Sequence, residues 1–441
     1  MTLDEAWGWL SRFTNLEKAP SATKRTWRLD RMHALLAERG HPETAPIAFH
    51  LAGSKGKGST AAFLSSILTA AGFDTGLYTS PHIVDWRERI TRNGELFDAS
   101  VYLDAVAGLS AYWDGMAAPT RARFIEDWGG EPTTFEWLTL AAFEIFSART
   151  PRARVIETGL GGRLDATNTF FPTASVLTLI ELEHTEILGG TRALIAAEKA
   201  GILKPGVPAF VAPQTEEAMA VFRQAASGGT LFHSFDDEVE EHCVDLARSG
   251  TRLRLGLRDG ASFEATVPLL GHAQGLNAAV AAWTVHRLVS EGRLDLGPNA
   301  AETIVRGLET VHAPGRMQIL SEAPWTVLDG AHTAESAKLL ARSWRELAGE
   351  GGVLVFGAFE GKAVEAMAAV LAPLFSRVIV TPPGTFRPSD PAALRSAFLA
   401  VSPQLPVDIA PDPKTALSWA QTDGKPILVC GSFYLVGEIL K

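Results

Sequence analysis

One glycine-rich loop combines two lysines and several hydroxyl groups in a pattern that suits phosphate binding. It comprises Gly53, Ser54, Lys55, Gly56, Lys57, Gly58, Ser59 and Thr60. Amides freed by glycine and the positive end of a following helix favour an anion, and Lys57 adds a charge for the terminal phosphates. A hydroxyl of Ser59 or Thr60 could reach magnesium. The strict phosphate-loop pattern has Gly in place of Leu51 and a hydroxyl in place of Gly58, so this is a variant loop; a flexible turn without ligand is the competing interpretation.

Three more polar residues follow apolar runs that resemble buried strands. Ser80, Glu157 and His184 come after the runs 75–79, 153–156 and 174–180. Ligands of open parallel sheets bind beyond the carboxyl ends of the strands, so we expect these side chains to converge near the loop. A hydroxyl, a carboxylate and an imidazole form a plausible magnesium set, although histidine is the least typical member. For His184 an ordinary loop histidine is an equal alternative.

Other candidate residues carry weaker signals. The glycine-rich run 159–165 permits close backbone approach to a ligand, which Arg163 and Asp165 could hydrogen-bond. Lys199 ends a helical pattern, where a lysine ordinarily interacts with the helix dipole. Arg316 lies just after the break Ala313-Pro314-Gly315, and from a second domain it could stabilise charge on a moving phosphoryl group. A surface arginine in a linker is its alternative.

The elements that must position these residues alternate between short apolar strands and longer helices. Such alternation predicts an α/β fold, with a parallel sheet covered by helices. The expected strands are 47–52, 75–79, 153–156, 174–180 and 207–211, followed after residue 315 by 326–328, 353–356, 378–380 and 427–429. We therefore predict a first α/β domain over 1–311, which contains the phosphate loop and a small antiparallel insertion at about 239–270. A linker at 312–315 leads to a smaller α/β domain over 316–441.

Composition excludes several classes of protein. The 441 residues are 46% hydrophobic and 20% charged, which indicates a globular protein of two or three domains. A net charge of −10 argues against nonspecific binding to nucleic acid or to an anionic membrane. Cys243 and Cys430 are too few for a disulfide framework or a cysteine metal cluster, which favours a cytoplasmic location. We find no secretion signal and no apolar run of membrane-spanning length.

A series of ordered motifs across nearly the whole chain resembles the folylpolyglutamate synthase and dihydrofolate synthase family, within the ATP-dependent Mur-type ligases. The motifs are His50 to Ser59, Thr79-Ser80-Pro81-His82, Arg87-Glu88-Arg89-Ile90, Pro132-Thr133-Thr134-Phe135-Glu136, Glu157 to Asn168, Glu198-Lys199-Ala200-Gly201-Ile202, Asn277-Ala278-Ala279, Pro314-Gly315-Arg316, Asp329-Gly330-Ala331-His332 and Gly431-Ser432-Phe433-Tyr434-Leu435. In this family a glycine separates the loop lysine from the serine, so the variant loop is the expected form.

The resemblance implies that the first domain is a phosphate-loop ATPase domain and that the smaller C-terminal domain is Rossmann-like. It also implies a reaction in which ATP activates a folate carboxylate as an acyl phosphate and the amine of L-glutamate displaces the phosphate. It implies that Lys57 holds the β and γ phosphates with Ser59 nearest Mg²⁺. It assigns further residues as follows: Ser80, Glu157 and His184 to the metal; Lys199 to a lysine that is carbamylated in many members; Asn277, Arg316, Asp329 and His332 to the nucleotide; and Asp165 with Ala166 to the pterin. The family is commonly monomeric.

Two residues depart from the family pattern, and they bear on fine geometry and substrate preference. Glu183 stands where the family usually has Asp before the metal-binding histidine, and Thr333 stands where it has Asn. Whether dihydropteroate is also a substrate stays open. The alternatives are a phosphate-loop kinase or NTPase, a noncatalytic nucleotide-binding scaffold, and a Mur-type ligase acting on another carboxylate. Only 46 residues precede the first strand, which leaves little room for the carrier-binding domain of a cell-wall ligase.

Overall fold

Two mostly parallel sheets and one antiparallel sheet organise the part of the chain that the computed structural model describes, residues 1–15 and 28–441. No helix within these residues is long and apolar enough to cross a membrane. The two α/β sheets agree with the fold class predicted from the sequence.

The first sheet contains the phosphate-loop strand at its centre. Its strands are β1 (Ile47–Ala52), β2 (Thr75–Tyr78), β3 (Ile90–Arg92), β4 (Glu95–Leu96), β5 (Ala153–Glu157), β6 (Ala174–Leu177), β7 (Pro208–Val211) and β8 (Leu231–Ser234). Their spatial order is β4-β3-β2-β5-β1-β6-β7-β8, and neighbouring strands pair in parallel except β2 with β3 and β3 with β4, so β3 alone runs against the other strands. Because β1 pairs with both β5 and β6 in parallel, the loops after these three strands lie side by side. The sequence correctly predicted this shared edge.

Helices cover both faces of this sheet. They are α1 (Leu3–Ser11), α2 (Leu29–Glu38), α3 (Lys57–Ala70), α4 (Ala99–Gly115), α5 (Ala118–Asp127), α6 (Thr134–Arg149), α7 (Thr185–Leu188), α8 (Arg192–Ala200), α9 (Glu216–Ala226), α10 (Phe235–Glu238), α11 (His272–Ser290) and α12 (Ala300–Glu309). Helix α3 packs between the sheet and α11 and α12, and Phe63, Leu64 and Ile67 are fully buried there. It begins at Lys57, directly after Gly56, which adopts the left-handed conformation at the N-cap (φ 89°).

The motif Pro132-Thr133-Thr134-Phe135-Glu136 forms the start of α6. Thr133 is the N-cap, and its side chain and that of Glu136 form a capping box. Glu136 also forms a buried ion pair with Arg31 of α2, at 2.9 Å. This motif therefore fixes the start of α6 against α2. These contacts explain why Thr133 and Glu136 occur in the motif without invoking a ligand.

The second sheet belongs to the C-terminal domain. Its strands are β12 (Gln318–Glu322), β13 (Trp325–Leu328), β14 (Gly352–Phe356), β15 (Phe375–Val380), β16 (Val407–Ile409) and β17 (Ile427–Cys430), and its helices are α13 (Ala334–Ala348), α14 (Val364–Leu371), α15 (Pro391–Val401), α16 (Pro413–Gln421) and α17 (Phe433–Leu440). The order is β12-β13-β17-β14-β15-β16, with β12 antiparallel to β13. The sheet begins at Gln318, close to the predicted linker at 312–315; the domain limits themselves stay a prediction.

The antiparallel sheet contains β9 (Val239–Ala247), β10 (Gly250–Leu257) and β11 (Ser262–Val267), as the alternating sequence predicted. Its inner face packs on α11, but its β9–β10 end contacts the C-terminal domain. Leu246 packs against the core around Trp325, and Arg248 stacks on the Trp325 ring while its Nε donates to the Leu347 carbonyl at 3.1 Å. The insertion is thus part of the contact between the two domains.

Candidate active site

The loop between β1 and α3 presents backbone amides in the way that a phosphate requires. The first helical hydrogen bond runs from Thr60 N to Gly56 O, so the amides of Lys57, Gly58 and Ser59 precede the helical ladder. They lie at the positive end of the helix dipole, where an anion is stabilised. The amides of Ser54 and Lys55 instead donate to the Leu179 carbonyl, at 2.9 and 3.1 Å. Fewer amides of the loop are therefore available to bind a phosphate than the sequence predicted.

Two lysine ammonium groups meet at one carbonyl oxygen of this loop. Lys57 Nζ and Lys199 Nζ donate to Gly53 O at 2.9 and 2.7 Å. Lys199 comes from the end of α8 and its side chain is only 1% exposed, so its charge needs a nearby anion. That anion is Glu183, whose Oε1 lies 3.2 Å from Lys199 Nζ.

The electrostatics of this pair follow from its burial. Burial lowers the pKa of Lys199 from 10.5 to about 8, although Glu183 acts in the opposite direction. Burial alone would raise the pKa of Glu183, but the ammonium groups of Lys199, Lys57 and Lys55 outweigh it and lower that pKa to about 2. The departure at Glu183 therefore preserves a carboxylate that neutralises the lysines around the loop.

The residues on the other side of Lys57 have the donor atoms that magnesium prefers. Ser59 Oγ and Thr60 Oγ1 are buried and have no hydrogen-bond partner within the described residues. The carboxylate of Glu157 is buried nearby, accepts a hydrogen bond from Ser80 N at 3.1 Å, and has its pKa raised by burial against the effect of Lys57 and Arg316. Hydroxyl and carboxylate oxygens suit Mg²⁺, so this side of the site fits the ion.

The segment that carries Ser80 is held by a single carboxylate. Glu88 accepts hydrogen bonds from the amides of Ile83, Val84 and Asp85, at 2.7 to 3.0 Å. This explains the motif Arg87-Glu88-Arg89-Ile90, because Glu88 fixes the loop through which Ser80 reaches Glu157.

His184 does not join this group. It is the N-cap of the short helix α7, with φ 47°, and its side chain is 46% exposed and 3.9 Å from Glu186. Within residues 1–15 and 28–441 it makes no hydrogen bond to Glu157, and no cluster of three or more His, Cys, Asp or Glu side chains could hold a metal ion. The structure thus brings Ser80 and Glu157 together, and a metal role for His184 stays a prediction.

Arg316 reaches the loop from the C-terminal domain. A Cβ atom added to Gly58 would lie 2.8 Å from Arg316 Nη2 and 3.2 Å from Glu157 Oε2. The guanidinium also lies 5.0 Å from the centre of the Phe433 ring. The glycine between lysine and serine thus provides space for an arginine of the other domain, next to the first amides of α3.

The motif Asp329-Gly330-Ala331-His332 lies next to Arg316 and fixes the backbone that follows it. Asp329 accepts hydrogen bonds from Met317 N and Ala331 N at 2.9 and 2.7 Å, and burial raises its pKa. Gly330 is required because the Phe433 ring occupies the space of a Cβ, at 2.2 Å. Burial lowers the pKa of His332 to about 3, so the ring is neutral, and its Nδ1 must donate to Gly330 O at 2.9 Å. Its Nε2 is then an acceptor.

Two other expected residues are placed by close contacts. Asn277, on α11, lies against the loop: a Cβ on Gly56 would be 2.3 Å from Asn277 Oδ1. Thr333 is the N-cap of α13, where it exchanges hydrogen bonds with Ser336. The departure at Thr333 therefore replaces one helix-capping residue with another.

The glycine-rich segment 159–168 follows β5 and packs against the end of α8, where Arg163 N donates to Glu198 O at 2.7 Å. Asp165 accepts hydrogen bonds from Leu160 N and from both the amide and the hydroxyl of Thr167, and burial raises its pKa. Ala166 is buried, whereas Arg163 is 53% exposed and pairs with Glu198 at 2.9 Å. Asp165 is therefore occupied within its own loop, and Arg163 is the more accessible side chain.

The sequence did not indicate two supporting residues. The Gln214 side chain accepts from Ile180 N and donates to Thr178 O, both at 3.0 Å, and so holds the strand extension whose Leu179 carbonyl fixes Ser54 and Lys55. Lys362 of the C-terminal domain has its pKa lowered by burial and by the nearby Arg387 and Lys55. Lys362 lies in a loop after the buried strand β14, and this position could have identified it from the sequence. No feature of the sequence pointed to Gln214.

The chain is similar in sequence to several known proteins. The family model of the Mur ligase glutamate ligase domain matches residues 315–433. A folylpolyglutamate synthase of Lacticaseibacillus casei is 31% identical over 411 residues, 93% of this chain and 92% of that protein. A probable bifunctional folylpolyglutamate synthase/dihydropteroate synthase of Halobacterium salinarum is 34% identical over 92% of this chain, which spans about half (48%) of that longer protein.

Solved structures extend the similarity to nearly the full chain. The folylpolyglutamate synthase of Mycobacterium tuberculosis, complexed with ADP and AMPPCP, superposes with a TM-score of 0.85 at 26% identity, covering 99% of this chain and 97% of that one. An FPGS–AMPPCP–folate complex superposes with a TM-score of 0.79 at 29% identity, covering 99% and 98%.

Proposed function

The chain belongs to the folylpolyglutamate synthase and dihydrofolate synthase family of ATP-dependent ligases, and from this membership we propose that it joins L-glutamate to a folate carboxylate. ATP is converted to ADP and phosphate in the process, through an acyl phosphate of the folate. Relatives that bind AMPPCP, and AMPPCP together with folate, support the two substrates.

One observation carries the proposal: an arginine of the C-terminal domain lies at the phosphate loop of the first domain. Arg316 Nη2 lies 2.8 Å from the Cβ position of Gly58, beside the buried Glu157. A simple kinase or NTPase needs no second α/β domain for this purpose. A ligase does, because a cleft between two domains can exclude water while an acyl phosphate waits for an amine.

The residues of the site have distinct tasks in this reaction. The amides of Lys57, Gly58 and Ser59 bind the terminal phosphates, and Lys57 Nζ exchanges the Gly53 carbonyl for a phosphate oxygen. Arg316 stabilises the negative charge that develops as the phosphoryl group moves to the folate carboxylate. Asn277, Asp329 and His332 line the nucleotide side, and Asp329 also fixes the backbone next to Arg316 by accepting from Met317 N.

We assign Mg²⁺ to the oxygens of Ser59 and Glu157, with Ser80 and His184 as further contributors. Bound there, the ion would neutralise phosphate charge. The unpartnered hydroxyl of Ser59 supports the assignment. Removal of divalent cations with EDTA should stop turnover, and Glu157→Gln should raise the Mg²⁺ concentration needed for half-maximal activity.

Carbamylation of Lys199 is a separate proposal. An amine with a pKa of about 8 has a larger neutral fraction at physiological pH than an ordinary lysine, and only the neutral form reacts with CO₂. Lys199 Nζ lies 3.2 Å from Glu183 Oε1, so a carbamate formed on it would lie beside a carboxylate, and a cation between the two would be needed to offset their repulsion. A ¹³C NMR carbamate signal from protein equilibrated with ¹³C-bicarbonate, absent in Lys199→Met, would support it; no signal with Mg²⁺ and ATP present would refute it.

The folate acceptor is expected against the segment 159–168, with Asp165 and Ala166 towards the pterin and Arg163 at its edge. We further propose that the enzyme acts as a monomer in the cytoplasm, consistent with its acidic charge and only two cysteines. Light scattering after size-exclusion chromatography should give the mass of one chain.

The test of function is product analysis. Purified protein should release phosphate from ATP only when glutamate and a tetrahydrofolate or dihydropteroate are both present, and mass spectrometry should show one or more added glutamates. Parallel reactions with the two acceptors distinguish a folylpolyglutamate synthase from a bifunctional enzyme. Phosphate release that is indifferent to both glutamate and acceptor would overturn the proposal and favour an NTPase; activity only with a peptide-linked carboxylate would favour another Mur-type ligase.

A further inference from the structure

A buried histidine of the central strand contacts the wall of the proposed folate site from inside the protein. His50 lies in β1, three residues before Gly53, and its side chain is fully buried. Its strand pairs with β5 and β6 on either side, in register with Ile156 and Ser175. The backbone of His50 is therefore held by strands on both sides, which fixes the position of its imidazole relative to the sheet.

The imidazole is joined to the segment 159–168 by consecutive hydrogen bonds. His50 Nε2 lies 2.8 Å from Thr167 Oγ1, and Thr167 Oγ1 lies 2.6 Å from Asp165 Oδ1. Because the threonine hydroxyl gives its proton to the carboxylate, it accepts from His50, so the imidazole carries its proton on Nε2. Its Nδ1 is buried and has no hydrogen-bond partner within the described residues.

Asp165 extends this series of hydrogen bonds to the backbone of the segment 159–168. Its Oδ1 also accepts from Thr167 N at 3.0 Å, and its Oδ2 accepts from Leu160 N at 2.9 Å. The Leu160 contact lies close to Glu157, where β5 ends. A shift of Thr167 would therefore move both ends of the segment, whereas the loop amides at Lys57 to Ser59 are held by α3 and need no contact with Thr167.

An ordinary structural role for a buried histidine is the competing explanation. The unpaired Nδ1 does not decide between the two, since core side chains such as Trp344 also bury a polar atom without a partner among the described residues. The hydrogen bond from Nε2 does, because it leads to the segment 159–168 through Thr167. A positioning role therefore predicts an effect on the acceptor that a purely structural role does not.

We propose that His50 is a positioning residue for the folate acceptor, acting through Thr167 and Asp165 on the segment 159–168. This inference rests on the proposed function, since it concerns how that site holds its acceptor. His50 does not touch ATP or the transferring phosphoryl group. It sets the position of a wall of the acceptor site relative to the strand that ends in the phosphate loop.

The test compares acceptor and nucleotide kinetics in matched variants. Thr167→Val removes the hydroxyl at nearly constant volume, and His50→Leu removes the donor. Each should raise the KM for the folate acceptor about ten-fold, as expected for loss of a hydrogen bond to a charged group, with the KM for ATP changed less than about two-fold. Thr167→Ser and His50→Gln, which keep a hydroxyl and a donor at these places, should restore most of the affinity.

Two further measurements separate positioning from folding. The double variant His50→Leu with Thr167→Val should be no worse for the acceptor than the poorer single variant, because both break the same link. Ser175→Ala is the control: it removes a buried hydroxyl hydrogen bond to Ile202 O (3.2 Å) from the neighbouring strand and should leave both KM values unchanged.

The outcomes are decisive in either direction. A parallel rise in the KM for ATP and for folate, an additive double variant, or an unchanged folate KM in Thr167→Val would overturn the inference. Binding of acceptor measured by calorimetry in the presence of AMPPCP gives the same comparison without turnover. If the unmodified protein shows no folate-dependent phosphate release, the proposed function fails instead, and the two failures are thus distinguished.

Discussion

Replacing Gly58 by Ala should change stability and activity in opposite directions. Gly58 lies in the first turn of α3, where alanine is favoured over glycine by up to about 1 kcal/mol. The new Cβ would lie 2.8 Å from Arg316 Nη2, and moving the guanidinium to 3.4 Å, the shortest ordinary contact, requires a shift of about 0.6 Å. A misplacement of about 1 Å in a catalytic group can cost about 100-fold in rate, so we expect kcat to fall about ten-fold.

The assay for Gly58→Ala combines phosphate release at saturating ATP, glutamate and folate with urea unfolding of the same preparation. Gly8→Ala is the matched control, since Gly8 lies inside α1 and nothing lies within 4 Å of its Cβ position. It should gain similar stability without loss of activity. In an Arg316→Ala background, Gly58→Ala should have no further effect on kcat.

Two results would refute this reasoning. Unchanged kcat in Gly58→Ala would mean that Arg316 does not act from the position seen beside the loop. An equal loss of activity with and without Arg316 would mean that the added methyl group acts on the phosphates or on Glu157 instead.

Three other substitutions test neighbouring contacts. Lys57→Ala should lower kcat at least about 100-fold in phosphate release, with little change in thermal unfolding, and near-normal turnover would exclude the phosphate-loop assignment. Between pH 8 and 10.5 the unfolded chain holds more protons on Lys199 than the folded chain does. The free energy of unfolding, measured by urea titration, should therefore rise with pH in the unmodified protein relative to Lys199→Met. A difference between the two proteins that does not change across this pH range would contradict the lowered pKa. Phe433→Leu, which removes the ring face beneath Arg316, should reduce kcat about five-fold whereas Phe433→Tyr should not, and equal activity of the two would show that the stacking is unimportant.

The sequence was sufficient to predict the parts of the site that depend on local patterns. Apolar runs located β1, β2 and β5, and the geometry of parallel sheets then placed the loop, Ser80 and Glu157 at one edge. The first turn of α3, from Lys57 to Thr60, is polar, so no apolar period in the sequence marks where this helix begins.

What the sequence did not predict depends on side chains that meet over long separations. Lys199 appeared to be an ordinary residue at a helix end, yet it crosses to the Gly53 carbonyl, 146 residues earlier in the chain. His184 was expected to converge with Ser80 and Glu157; it is the N-cap of the short helix α7, and its side chain is 46% exposed. Neither the shared carbonyl nor the turn at His184 leaves a periodic signal in the sequence, since each depends on a single contact or dihedral angle.

The antiparallel sheet has a consequence for any attempt to exchange parts between such ligases. A C-terminal fragment cut at residue 316 would leave behind Arg248 and Leu246, which cover Trp325 and the end of α13. It would also lose the contact between His272 and Glu346, 2.7 Å apart. The natural unit of transplantation is therefore discontinuous in the sequence: a chimera that borrows the C-terminal domain of a relative needs that relative's counterpart of 239–272 as well.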